Sequence, residues 1–213
     1  MTIEEKMSRE KKGVLMLSVI MITIPERKRE FAALHKKLVK QIFYCSEIHP
    51  TLGNVEIIKV ETPRFPEGPT IGEKRQMGLD KALGEFVIWL DDDDDISPDY
   101  VETLLRLAYD TPDVITFSNL SRFDSYWCVI RMSLKHEYDE QVRPGIINRR
   151  PYHVCGWRRR IAQTVKFPPL NKDEDTTYIA ELLPKCKVEQ HSENILHEYN
   201  RTKQSYALKA LRS

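Results

Sequence analysis

Glu85-Phe86-Val87-Ile88-Trp89-Leu90-Asp91-Asp92-Asp93-Asp94-Asp95-Ile96-Ser97-Pro98-Asp99-Tyr100-Val101 is the stretch on which the fold turns. An apolar run of strand length passes directly into five aspartates, and these into a helix-start signal, Ser97-Pro98-Asp99. So many carboxylates on so little backbone repel one another unless a cation or ordered donors face them. A hard divalent cation suits an all-oxygen site. Mg²⁺ or Mn²⁺ is the expected cofactor, since Mg²⁺ takes only one or two carboxylates and completes its shell with water and substrate phosphates.

Outward from this stretch the chain alternates. Val14 to Ile24 is a β-branched apolar run suited to a strand buried on both faces, and it ends at Pro25. From Glu26 to Phe43 the residues Phe31, Leu34, Leu38 and Ile42 recur at helical spacing. Strand Val55 to Val60, helix Glu73 to Leu83 ending on Gly84, strand Phe86 to Leu90, helix Val101 to Tyr109 and strand Val114 to Ser118 follow. This order predicts an α/β fold with a mostly parallel central sheet flanked by helices and a ligand site beyond the carboxyl ends of the strands. Further on, Tyr126 to Leu134 and Ile146 to Tyr152 read as short antiparallel strands, and Gly156 to Thr164 and Glu174 to Leu183 as helices.

The chain has 213 residues, 33 Lys+Arg and 32 Asp+Glu, which fits one domain and marks it as neither disordered nor uniformly basic. The charge is nonetheless uneven. Between Gln141 and Lys172 no acid occurs, while Arg143, Arg149, Arg150, Arg158, Arg159, Arg160, Lys166 and Lys172 supply positive charge. Such a stretch is either a solvated face or a surface for an anionic partner, DNA included. Cys45, Cys128, Cys155 and Cys186 are widely spaced, which argues against a zinc knuckle or a disulfide framework. No apolar run reaches the roughly 18 to 20 residues of a membrane span, and the charged start lacks a signal-peptide stretch, so a cytoplasmic protein with no membrane span is expected.

Four elements in order, Gly72-Glu73-Lys74-Arg75-Gln76 with Ala82-Leu83-Gly84-Glu85-Phe86, then Leu90-Asp91-Asp92-Asp93-Asp94 and Pro98-Asp99-Tyr100, with Lys172-Asp173-Glu174-Asp175 and Leu196-His197-Glu198-Tyr199-Asn200-Arg201 beyond, resemble glycosyltransferase family 2. Ile24-Pro25-Glu26-Arg27 departs from the commoner Pro-Thr-aromatic-Asn-Arg turn. The resemblance implies a Rossmann-like type A glycosyltransferase fold with a smaller antiparallel acceptor-side portion. Residues 1–213 would form one domain: 1–13 a frayed tail, 14–118 a nucleotide-sugar-binding half and 119–213 an acceptor-binding and catalytic half. It further implies an inverting, metal-dependent transfer from a nucleotide diphosphate sugar, UDP-glucose as the default, to a saccharide, glycolipid or hydroxylated base in DNA.

By the same resemblance, Asp93 and Asp91 are expected to hold the metal, with His197 as a further ligand or diphosphate contact. Thr23, Pro25, Arg27, Glu61, Lys74, Arg75, Asp91, Asp92 and Arg201 would bind the donor, Arg201 and Ser205 completing a C-terminal lid. Alternation along a continuing strand would turn Asp92 to the side opposite Asp91 and Asp93. Asp175 matches the base position and Glu174 stands next to it, although an acidic first helix turn is also a common stabilising device. Tyr152, His153 and Trp157 are candidate acceptor or sugar contacts, core packing being the other account of the aromatics.

Three other readings are open to the residues. Asp91, Asp93, Asp95, Ser97, Asp99 and Glu102 match a calcium-loop spacing, but Ile96 stands where that loop needs glycine, Pro98 interrupts it and a strand precedes it. A metal-dependent nucleotidyltransferase would need a glycine-rich phosphate loop, and Pro25-Glu26-Arg27-Lys28 has no glycine. A nucleic-acid-binding module using the basic stretch would leave the aspartates without a purpose.

Overall fold

The structure is a computed structural model and describes residues 13–201. Its nucleotide half follows the expected alternation: β1 (Leu15–Thr23), α1 (Lys28–Ile48), β2 (Asn54–Glu61), α2 (Ile71–Lys81), β3 (Phe86–Asp91) and α3 (Tyr100–Ala108), with a two-residue strand β4 (Asp95–Ile96) before α3. β1 lies between β2 and β3, parallel to both. Near-continuous burial along β1 and β3 accounts for their unbroken apolar sequences, since both faces of these strands are covered.

The second half is mixed. β5 (Val114–Phe123), β6 (Trp127–Met132), β7 (Gly145–Arg149), β8 (Gly156–Arg158), the short α4 (Arg159–Ala162), α5 (Glu174–Leu182) and β9 (Glu189–Arg201) complete the chain. The sheet runs β2-β1-β3-β8-β5-β6-β7, with β9 beside β5 and β4. Three expectations are corrected. β7 pairs with β6 in parallel, not antiparallel. Gly156 to Arg158 is a strand wedged between β3 and β5, leaving only one helical turn after it. The closing segment is a strand of 13 residues, parallel to β5 and antiparallel to β4.

Two local devices fix the helices that carry the site. Thr70 caps α2 by accepting from Glu73 N–H while the Glu73 carboxylate accepts from Thr70 N–H, so two otherwise orphaned donors are satisfied. α2 also starts hard against a loop: a Cβ on Gly72 would come 1.9 Å from the Pro168 carbonyl oxygen, so only glycine fits. α5 is set by an aromatic stack. Tyr178 lies face to face on Phe167 at 3.8 Å, and Trp89 of β3 meets both edge-on at 5.1 and 5.5 Å. Tyr178 donates its hydroxyl to the Ala162 carbonyl at 2.8 Å. Each of these buried aromatics contributes about 1.5–3 kcal/mol of transfer free energy, and together they pin the first turn of α5.

Candidate functional site

β3 ends at Asp91, and the chain turns at once, Asp94 N–H donating to the Asp91 carbonyl at 3.1 Å. Strand alternation therefore stops where the acidic run begins. Asp92 does not face away as expected but points into the same cavity as Asp91, Asp93 and Asp94. That cavity, about 860 Å³, opens beyond the carboxyl ends of β1 and β3 and is also lined by Thr23, Arg27, Lys74, Arg75, Tyr152, His153, Glu174, Asp175 and His197. Residues 150 apart in sequence share one volume.

Each of the five aspartates has a cationic partner within the protein. Arg75 Nη2 lies 3.1 Å from Asp91, Arg27 Nη1 lies 2.6 Å from Asp92 and 3.6 Å from Asp93, His197 Nε2 lies 2.9 Å from Asp94, and Lys37 Nζ lies 2.5 Å from Asp95. Thr23 Oγ1 adds a hydrogen bond to Asp92 at 2.7 Å. Burial nevertheless pushes Asp92 up to about 6, against the pull of Thr23 and Arg27. For Asp91 burial is overcome by Arg75, which holds the carboxyl below its usual value. Buried Lys74 donates to the Pro63 carbonyl at 2.9 Å, and desolvation lowers its pKa.

Arg75 also joins the two halves of the site, donating from Nε to Glu174 Oε1 at 3.2 Å. Glu174 is 5% exposed and committed to that pair, whereas its neighbour Asp175 presents its carboxylate to the cavity. Asp175 Oδ1 accepts from Thr176 N–H at 2.7 Å, and Oδ2 lies 3.1 Å from His153 Nδ1. Although burial alone would raise Asp175, His153 and Tyr152 hold it well below the ordinary carboxylate range. Asp173, just before the helix, takes a left-handed φ of 61°, a conformation aspartate tolerates better than most residues.

Several expected contacts fall elsewhere. Trp157 is fully buried in β8, between β3 and β5, and cannot stack on a sugar. Glu61 closes β2 but is exposed, pairs with Lys59 at 2.6 Å and is not among the residues lining the cavity; nor is Pro25, which opens a 3-10 turn. His197 reaches the cavity, but its ring nitrogens are engaged by Asp94 and, at 3.2 Å, Asn119, so neither is free for a cation. Burial would lower its pKa, but Asp94 outweighs burial and raises it. The side chain of Arg201, and Ser205, lie outside the described residues.

The basic stretch is not one surface. Arg149 and Lys172 line the cavity, whereas Arg158 and Arg159 bond to Thr111 and Gly84 at the opposite end of β3. Arg143 and Arg150 pair with Glu140 and Asp139. Residues missed in the sequence are Asp94, hidden by the premature end of β3, and Asn119 and Ser121, whose signal was polar alternation within the apolar strand β5.

Among the described residues no group of three or more His, Cys, Asp or Glu side chains is arranged to hold a metal. The donor set nonetheless suits a cation that brings its own phosphate ligands. Asp91 and Asp93 both line the cavity, and buried Asp91 Oδ1, facing Arg75, makes no well-aligned hydrogen bond. No helix among the described residues is long and apolar enough to cross a membrane.

Comparison with known proteins agrees with this layout. The profile described as Glycosyl transferase family 2 matches residues 56–165. EpsH of Bacillus subtilis (strain 168), named as a glycosyltransferase, is 32% identical over 81 residues, 38% of this chain and 24% of EpsH. Among solved structures, S. aureus TarS 1–349 superposes with a TM-score of 0.59 at 16% identity, over 87% of this chain and 60% of that one. The same protein in complex with UDP-GlcNAc gives 0.57 at 14% identity, over 87% and 58%. The chain thus spans about a quarter of EpsH and three fifths of the TarS fragment, and the TarS likeness bears on the fold alone. With a family profile over more than half of its residues, laid across the β2-to-α4 frame that builds the cavity, this chain belongs to glycosyltransferase family 2.

Proposed function

We propose that the chain transfers a sugar, with inversion, from a nucleotide diphosphate sugar to a hydroxyl acceptor. One observation carries the reading: a single cavity holds the acidic turn Asp91–Asp94 with Arg27, Lys74 and Arg75 on one side and Asp175 with His153 on the other. Donor phosphates meet cations at the first wall, where Lys74, without a carboxylate of its own, and the first turn of α2 favour negative charge. Asp175 stands where deprotonation of an attacking hydroxyl is needed, and Glu174 keeps Arg75 in place.

Mn²⁺ or Mg²⁺ would be held by Asp93 and Asp91, supplying Lewis-acid neutralisation of the departing diphosphate. His197 then acts by holding Asp94. Because the related TarS fold has been solved with UDP-GlcNAc, that donor is the first to try, beside UDP-glucose. The divided basic stretch gives a DNA acceptor no continuous surface, and a saccharide or glycolipid fits the cavity better. Titration calorimetry with a panel of nucleotide diphosphate sugars, with and without Mn²⁺, tests the reading: micromolar-to-millimolar binding of at least one donor is expected, and no binding in any condition refutes it.

A further inference from the structure

We propose that the acceptor's proton is taken by His153, on the ring nitrogen turned away from Asp175, and that Asp175 serves to hold that ring. The proposal rests on the glycosyl-transfer reading above and deepens it. His153 is 7% exposed and lines the cavity, with Nδ1 3.1 Å from Asp175 Oδ2. Two lone pairs do not settle at that separation, so the contact calls for a proton on Nδ1. A neutral imidazole protonated there carries its free lone pair on Nε2, and the carboxylate stabilises the imidazolium that forms. The pair stands off the ideal hydrogen-bond line as it is, an ordinary condition for a catalytic contact before substrate tightens it.

The surroundings favour histidine over the carboxylate as the proton's destination. Both Asp175 oxygens already face donors, Thr176 N–H and His153. A carboxylate so engaged binds a further proton poorly. The ring itself is confined: the Tyr152 ring lies 4.7 Å from it, the Arg149 guanidinium covers Tyr152 at 4.2 Å, and the Tyr152 hydroxyl reaches Thr176 at 3.3 Å. In the step, the acceptor O–H bond breaks and its proton passes to Nε2. The oxygen's electron pair bonds the anomeric carbon, and the bond from that carbon to the diphosphate oxygen breaks, its pair leaving on the diphosphate.

The test uses UDP-GlcNAc with water as the acceptor, following UDP release by wild type, His153→Gln, Asp175→Asn and the double variant. Each single variant is expected to lose about 100-fold or more in kcat with a much smaller change in KM, and the double to be no slower than the slower single. Imidazole should restore turnover to His153→Ala. Independently of turnover, ¹⁵N-histidine NMR of the wild-type chain should find His153 protonated at Nδ1 and bare at Nε2, with that preference lost in Asp175→Asn. Full turnover in His153→Gln beside a dead Asp175→Asn, or a proton resident on Nε2 at neutral pH, overturns the proposal and returns the proton to Asp175. Failure of wild type to bind any nucleotide sugar overturns the glycosyl-transfer reading, and this proposal with it.

Discussion

Arg75 and Glu174, 99 positions apart, form an ion pair at 3.2 Å with side chains only 4% and 6% exposed, bolting α2 to α5. Arg75 spends its remaining reach on Asp91, so one guanidinium serves both walls of the cavity. Breaking a buried pair from one side leaves charge stranded, at about 3–5 kcal/mol. Arg75→Leu strands two carboxylates and Glu174→Gln only one cation that still has Asp91. Chemical denaturation should therefore rank Arg75→Leu as clearly less stable than Glu174→Gln, both below wild type.

Asp93 has the weakest internal partner of the cavity aspartates, Arg27 at 3.6 Å. Asp93→Asn should leave the fold intact and remove the Mn²⁺-dependent part of donor binding, whereas Asp175→Asn should keep that binding. Parallel calorimetric titrations decide, and equal loss in both variants would show that the two walls have been assigned the wrong tasks.

Trp157 belongs to the sheet interior. Trp157→Ala should cost about 3–5 kcal/mol as a large-to-small core change. The milder Trp157→Phe should lower the melting temperature while leaving donor affinity at the wild-type value, measured on the folded protein. A weakened affinity there would reinstate a sugar contact.

Asp175 sets a pH dependence of known sign. Its folded value lies below its unfolded one, so its contribution to stability is complete above about pH 4 and disappears as pH falls through the folded value. Urea midpoints taken from pH 7 down to pH 3 should fall more steeply for wild type than for Asp175→Asn. Parallel slopes would mean that His153 and Tyr152 do not hold the carboxylate in solution.

The parallel half was legible because its signals are local. β1 and β3 are short apolar runs, Gly84 stops α2, and Pro98-Asp99 starts α3. The acidic turn was legible as a place but not in its wiring. Which cation faces Asp94 depends on β9 returning alongside β5, and nothing within a few residues of His197 announces that pairing. Trp157 was misplaced for a related reason: a three-residue strand closed on both sides by distant partners has too little sequence to show a period. Glu174 and Asp175 are adjacent and chemically alike. Only the fold separates a carboxylate bound to Arg75 from one open to the cavity.

The 13-residue return of β9 has a consequence for how the protein is made. It supplies His197 to the turn after β3 and lies between β4 and β5, so a nascent chain emerging from the ribosome holds Asp94 buried without its counter-charge until almost the last described residue is out. The cavity is thus completed after release rather than during elongation, and a chain cut short before Glu189 leaves the acidic turn to repel itself.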